Sequence, residues 1–152
     1  MEESSYEVLK SFLELAPVAQ KATRPLSRDA RVNVEFAEGL AHFRMEGTGP
    51  RLLAGPVADP DFTLTLPRGA VRLITTLSSE DVGEFGVLFF RLVLETDPAL
   101  KVKVHIDAHP ARLFAHGYLG VLALGGLRVA LWLFRNGVRN PSAAIERLRG
   151  RR

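Results

Sequence analysis

The chain has no cysteine. That excludes disulfides, thiolate catalysis and cysteine-ligated metals, and it suits a reducing cytoplasm. Equally missing are the short motifs that carry phosphate, dinucleotide or acyl-transfer chemistry. No Walker-type loop is present, and the Gly-Val-Leu-Ala-Leu-Gly-Gly run at 120–126 follows a helical stretch rather than the strand a dinucleotide fingerprint needs. A Gly-x-Ser-x-Gly elbow is also lacking. The start, Met1-Glu2-Glu3-Ser4-Ser5, is acidic and polar, so no secretory signal is expected. The most apolar run, residues 119–134, is sixteen residues long and contains Arg128. It falls short of the roughly twenty residues that span a bilayer. Internal repeats and low-complexity segments are absent too.

What is present is an ordinary globular composition. Hydrophobic residues make up 47% and charged residues 24% of 152 positions, enough for one domain with a substantial core and against disorder. The net charge of +3 is unevenly placed: residues 135–152 hold six arginines and one glutamate, and the rest of the chain is slightly acidic. Such a tail either is a solvated end or attracts the phosphates of lipids or nucleic acid.

Along the chain, Ser4 and Glu7 have capping-box spacing, with Val8, Leu9, Phe12, Leu13 and Ala16 on one helical stripe behind them. A helix end is expected between Pro17 and Pro25. Val32, Val34 and Phe36 alternate with polar residues, Glu38-Gly39 turns, and Ala41, Phe43 and Met45 face one side of a return strand. Residues 47–50 read as a loop and 51–54 as a short third strand. The region 59–115 carries the clearest pattern. A strand at 62–66 is stopped by Pro67, helices cover 68–77 and 79–95, a strand runs over 100–107, and His109-Pro110 opens a further helix. After Asn136-Gly137, Asn140-Pro141 caps a short basic helix at 142–149.

Candidate chemistry is sparse. His105, Asp107 and His109 could approach a metal, but Lys101 and Lys103 share the side of His105 and oppose a cation, so no metal site is expected. The pairs Glu80-Asp81 and Asp59/Asp61 read as capping and turn chemistry rather than acid–base catalysis. Aromatics lie on apolar faces and arginines cluster at the end, which speaks against nucleic-acid binding. No catalytic residue and no cofactor is expected, and the chain reads as a non-enzyme. Apolar faces, by contrast, are abundant. Phe62, Leu64 and Leu66 cover one side of a strand, Val102, Val104 and Ile106 one side of another, and Phe85 and Phe89 can point down from the covering helix. Such faces make either a filled core or, if held apart, a cavity for an apolar ligand.

The order of elements resembles the sterol-carrier-protein-2 family of lipid-binding domains over residues 32–115. Asp61-Phe62-Thr63-Leu64-Thr65-Leu66 is similar to the family's Asp-initiated strand, Leu100-Lys101-Val102-Lys103-Val104 to its Leu-Lys-Ile-Lys strand, and Ala111-Arg112-Leu113-Phe114 to the start of its last helix. Two departures stand out: Pro98-Ala99 takes the place of a glycine before the last strand, and the chain continues well past the family's final helix. The resemblance implies an α+β fold, with about five strands in a mostly antiparallel sheet covered on one face by helices and an extra apolar C-terminal helix. It implies a lipid-binding domain at 1–118, with an apolar helix and basic tail at 119–152 docked on it. The function expected from it is non-enzymatic binding or transfer of a sterol, fatty acyl or isoprenoid lipid, at a membrane surface or in the cytoplasm. Its lining would be Phe62, Leu64, Phe85, Phe89, Val102, Val104 and Phe114, and Arg139, Arg147 and Arg149 would contact an anionic membrane. The alternative is an accessory or scaffold protein for a membrane-associated lipid or quinone biosynthesis complex. The apolar segment 119–134 either covers the cavity, lies on a membrane, or pairs with a protein partner or a second copy.

Overall fold

The computed structural model describes residues 4–47 and 49–136. The elements are α1 (Ser5–Leu15), α2 (Pro17–Thr23), β1 (Arg31–Glu35), β2 (Leu40–Glu46), β3 (Gly49–Ala54), β4 (Phe62–Thr65), α3 (Arg68–Thr75), α4 (Val82–Val93), β5 (Lys103–Ile106), α5 (Pro110–Ala115) and α6 (Tyr118–Arg135). Local chemistry sets most boundaries. The Ser4 hydroxyl accepts the Glu7 N–H at 3.2 Å and starts α1. Pro17 begins α2 at a position where its missing N–H costs nothing. The Asp81 carboxylate caps α4 through Gly83 N–H at 2.8 Å, so that helix begins at Val82 rather than at the expected residue 79.

The five strands lie in the order β3-β2-β1-β4-β5. β1–β2, β2–β3 and β4–β5 are antiparallel, but β1 and β4 run parallel, Val32 beside Phe62 and Val34 beside Leu64. The expectation of a mostly antiparallel sheet is therefore corrected: the sheet is mixed. The reason is that β3 and β4 both run with β1, so the chain must travel back along the sheet between them. Residues 55–61 make that return across the face opposite the core. Asn33 holds the segment by two hydrogen bonds to the Val57 backbone (3.1 and 2.7 Å), and His42 Nδ1 lies 2.9 Å from the Gly55 carbonyl oxygen.

Two strands differ in extent from their sequence pattern. β3 begins at Gly49 and includes Pro50, which an edge strand tolerates because only one side of it needs ladder donors. β5 begins at Lys103 rather than Leu100. Lys103 pairs with Thr65, the last residue of β4, and Pro67 beyond it has no N–H to offer. Val102 instead donates its N–H to the Leu92 carbonyl at the end of α4, at 3.0 Å.

The principal core joins Leu9 and Phe12 of α1, Val18 and Ala19 of α2, Val32, Val34, Ala41, Phe43 and Leu52 of β1–β3, and Val71, Ile74 and Leu92 of α3 and α4. α1 also closes the β3 edge. Tyr6 Oη and Lys10 Nζ donate to the Leu52 carbonyl (both 3.3 Å), and Glu14 accepts the Leu52 N–H, also at 3.3 Å. This removes an unpaired strand edge that would otherwise invite association. Gly117 joins α5 to α6 with φ 92°, and a Cβ there would lie 2.2 Å from the Pro25 carbonyl oxygen, so only glycine fits. Within α6, Gly126 (φ 64°, ψ −156°) kinks the helix, and Val129 beyond it packs against Gly86 of α4. The expected membrane contacts Arg139, Arg147 and Arg149, and the short basic helix at 142–149, lie outside the described residues.

Candidate functional site

The apolar layer between sheet and helices is uneven. On β1–β3 the core-facing side chains Val32, Val34, Ala41, Phe43 and Leu52 are all buried. On the other half, Phe62 and Leu64 of β4 and Val104 of β5 are only half-buried, as are Phe85 and Phe89 of α4. Five of the seven residues expected to line a ligand site are thus half-buried against the core, Phe62, Leu64 and Val104 on a β4–β5 flank and Phe85 and Phe89 on α4. Phe85 stacks on Phe12 (6.0 Å between centroids, 21°), and Phe62 meets Tyr118 edge-on at 4.7 Å. Val102 is fully buried beside this flank. Phe114 is not part of it: on α5 it is 69% exposed, because the turn of that helix directs Leu113 inward instead.

Beside the flank lies a feature that sequence inspection missed. Asp61 is completely buried, yet its carboxylate is surrounded by donors. It accepts from Arg31 N–H (3.1 Å), Arg112 Nε (2.9 Å) and Tyr118 Oη (2.8 Å), with His116 Nδ1 at 2.8 Å. Its backbone is engaged as well: the N–H donates to Arg31 O, and the carbonyl accepts from Asp107 and Ala108. Arg112 continues outward to Asp59 (2.7 Å) and to the Pro60 carbonyl (2.8 Å), and Arg31 also reaches Asp59. Asp59 itself takes a positive φ of 52° to present these groups. One buried aspartate therefore ties β1, α5 and the start of α6 through its carboxylate and the end of β5 through its backbone, directly before β4.

The charges respond accordingly. The Arg112 hydrogen bond holds the Asp59 carboxyl below the usual carboxylate range, against a smaller opposing effect of desolvation. Burial alone would lower the Arg112 pKa, but its hydrogen bonds to Asp59 and Asp61 outweigh that and raise it. Burial pushes the Tyr118 phenol well above its ordinary value, and the hydrogen bond to Asp61 adds to the shift. With Arg31, Arg112, Tyr118 and His116 all on its two oxygens, Asp61 is engaged by the protein itself and the cluster works as a staple. A sequence signal for it did exist: Arg112 and His116 are spaced i, i+4 and so share a helical face.

The outer face of β4 and β5 carries a smaller polar group. Thr63 Oγ1 donates to Asp107 at 2.7 Å, and His105 Nε2 lies 3.4 Å from the same carboxylate. His109 is turned away to cap α5, its Nδ1 accepting the Ala111 N–H at 3.1 Å. Among the described residues no three His, Cys, Asp or Glu side chains are placed to hold a metal ion.

A groove of about 440 Å³ lies elsewhere, between α4 and the second half of α6. Its walls are Leu77, Val87, Leu88, Leu131 and Trp132, with Glu84, Arg91 and Arg135 bordering it. The α4 contribution, 84-87-88-91, is a single i, i+3, i+4, i+7 stripe. None of the residues expected to line a ligand site borders this groove. The chain matches no known family, no curated protein and no solved structure.

Proposed function

We propose that the protein is a non-enzymatic lipid-binding domain that takes an apolar ligand on the partly covered flank formed by β4, β5 and α4. One observation carries this reading. Phe62, Leu64, Val104, Phe85 and Phe89 pack against the core yet remain half-buried, while Val32, Val34, Ala41, Phe43 and Leu52 of β1–β3 are closed. An apolar chain laid along this flank would remove that surface from water, at about 25 cal/mol per Å² of area buried. Val102 forms the floor of the site, and Phe114 has no part in it. The domain acts without a cofactor and works in the cytoplasm or peripherally on a membrane.

The test is mass spectrometry of an organic extract from purified protein. A stoichiometric sterol, fatty acyl or isoprenoid lipid is expected, and replacing Leu64 with glutamine should empty the site while circular dichroism stays unchanged. A protein that carries no lipid and takes up none from solution would overturn the reading. If such an empty protein instead held a fixed set of lipid- or quinone-synthesising enzymes, it would be a scaffold.

A further inference from the structure

We infer that the groove between α4 and α6 is the face by which the protein docks on an anionic lipid bilayer. The first ground is the composition of α6: from Tyr118 to Arg135 it contains no acidic residue, and Leu131 in the groove wall is 45% exposed, as are Leu119 and Leu124 before the kink to a similar degree (51% and 47%). An apolar helix surface with arginine as its charge is the pattern of a segment lying in a bilayer interface. Lying, rather than crossing, is what its geometry permits. The helix is kinked at Gly126, and among the described residues no helix is long and apolar enough to span a membrane.

The second ground is charge complementarity at the groove itself. Arg91 and Arg135 are exposed on its border, and neither meets an acidic partner among the described residues. Glu84 borders the same groove but is engaged in an interaction of its own. Two guanidinium groups beside apolar walls suit a lipid phosphate with its acyl chains alongside. The third ground decides between a bilayer and a free lipid. Leu131 is 45% exposed in the groove wall, so a single lipid lying there would keep one flank in water, whereas a bilayer covers that flank. The inference stands apart from the ligand on the β4–β5 flank, and the two fail separately.

Trp132 is the only tryptophan of the chain and lines the groove, so its emission reports on this face directly. The full-length protein is mixed with phosphatidylcholine vesicles, with or without phosphatidylglycerol, at low salt. Expected are co-sedimentation with the anionic vesicles only, a blue shift of Trp132, and quenching by lipids brominated in the acyl chain. Each arginine near an anionic surface contributes about five-fold, so Arg91→Gln with Arg135→Gln should weaken partitioning roughly 25-fold. Leu131→Glu should abolish the blue shift, with urea midpoints showing that both variants still fold. Equal binding to neutral vesicles, an unchanged double variant, or sedimentation without any change at Trp132 would each overturn the inference. So would a blue shift that follows protein concentration without vesicles and accompanies a dimeric mass, since a second copy would then be the occupant.

Discussion

Replacing Asp61 with asparagine keeps the size of the side chain and removes its charge. The carboxylate is wholly buried, with three donors and His116 on its two oxygens. In the variant an amide NH₂ must face one set of those donors, and Arg112 loses its buried counter-charge. Breaking a buried pair from one side costs about 3–5 kcal/mol. Arg112 is about a quarter exposed and keeps Asp59, so the lower end, about 3 kcal/mol, is expected. For a chain of this size that corresponds to a Tm lower by roughly 10 °C. Tyr118→Phe removes one donor to a charged acceptor and should cost about 1.5 kcal/mol, and less again when Asp61 is already asparagine. Urea unfolding followed by circular dichroism measures all three variants, with the slope expected to stay constant while the midpoint moves. A loss below about 1 kcal/mol for Asp61→Asn, or full additivity with Tyr118→Phe, would refute the view that this cluster acts as one staple.

Stability should fall on both sides of neutrality. Asp59, Glu14 and Glu38 have lowered pKa values: Arg112 leads for Asp59 and the Ser5 N–H for Glu38, while for Glu14 desolvation is the largest single effect but is outweighed by the Lys10 and Leu52 hydrogen bonds together with the Lys10 and Arg51 charges. A depressed folded-state pKa means the unfolded chain binds more protons, so this stability is present above the ordinary carboxylate range and is lost as pH drops below about 4. Tyr118 has the opposite shift, so its contribution is complete below the ordinary phenol pKa of about 10 and is lost at higher pH. Tyr118→Phe should therefore flatten the alkaline limb of a urea-midpoint profile, and an unchanged limb would count against it. Gly86→Leu should separate α4 from α6, because even a Cβ at position 86 would lie 2.8 Å from Val129 Cγ2. The change should cost about 2 kcal/mol and be partly relieved by Val129→Ala, which a double-mutant cycle would measure.

Much of the fold was legible because periodicity is a local property. Val32, Val34, Ala41 and Phe43 alternate as strands must, Val71 and Ile74 share a helical face, and Ser4 and Asp81 cap the helices they precede. Pro67 correctly ended a strand, although its further effect, leaving residues 100–102 without a strand partner, needed the β4–β5 register. The site was legible only in part. Alternation shows that Phe62 and Leu64 share one side of their strand and Val102 and Val104 the apolar side of theirs, but neither that the two sides join nor how well they are covered. Phe114 sits beside Leu113, and nothing local says which of the two turns inward.

By itself, then, the sequence determined where most strands and helices lie, which side of each is apolar, and that one sheet face must be covered. Those are consequences of backbone periodicity and the water-aversion of side chains a few residues apart. Only the tertiary structure decided that β4 lies parallel to β1, and that Asp61 meets Arg112, His116 and Tyr118 from more than fifty positions away. It alone also placed Arg91 and Arg135 on one groove. Each of these depends on which distant surfaces come together, and such contacts leave no period in the chain.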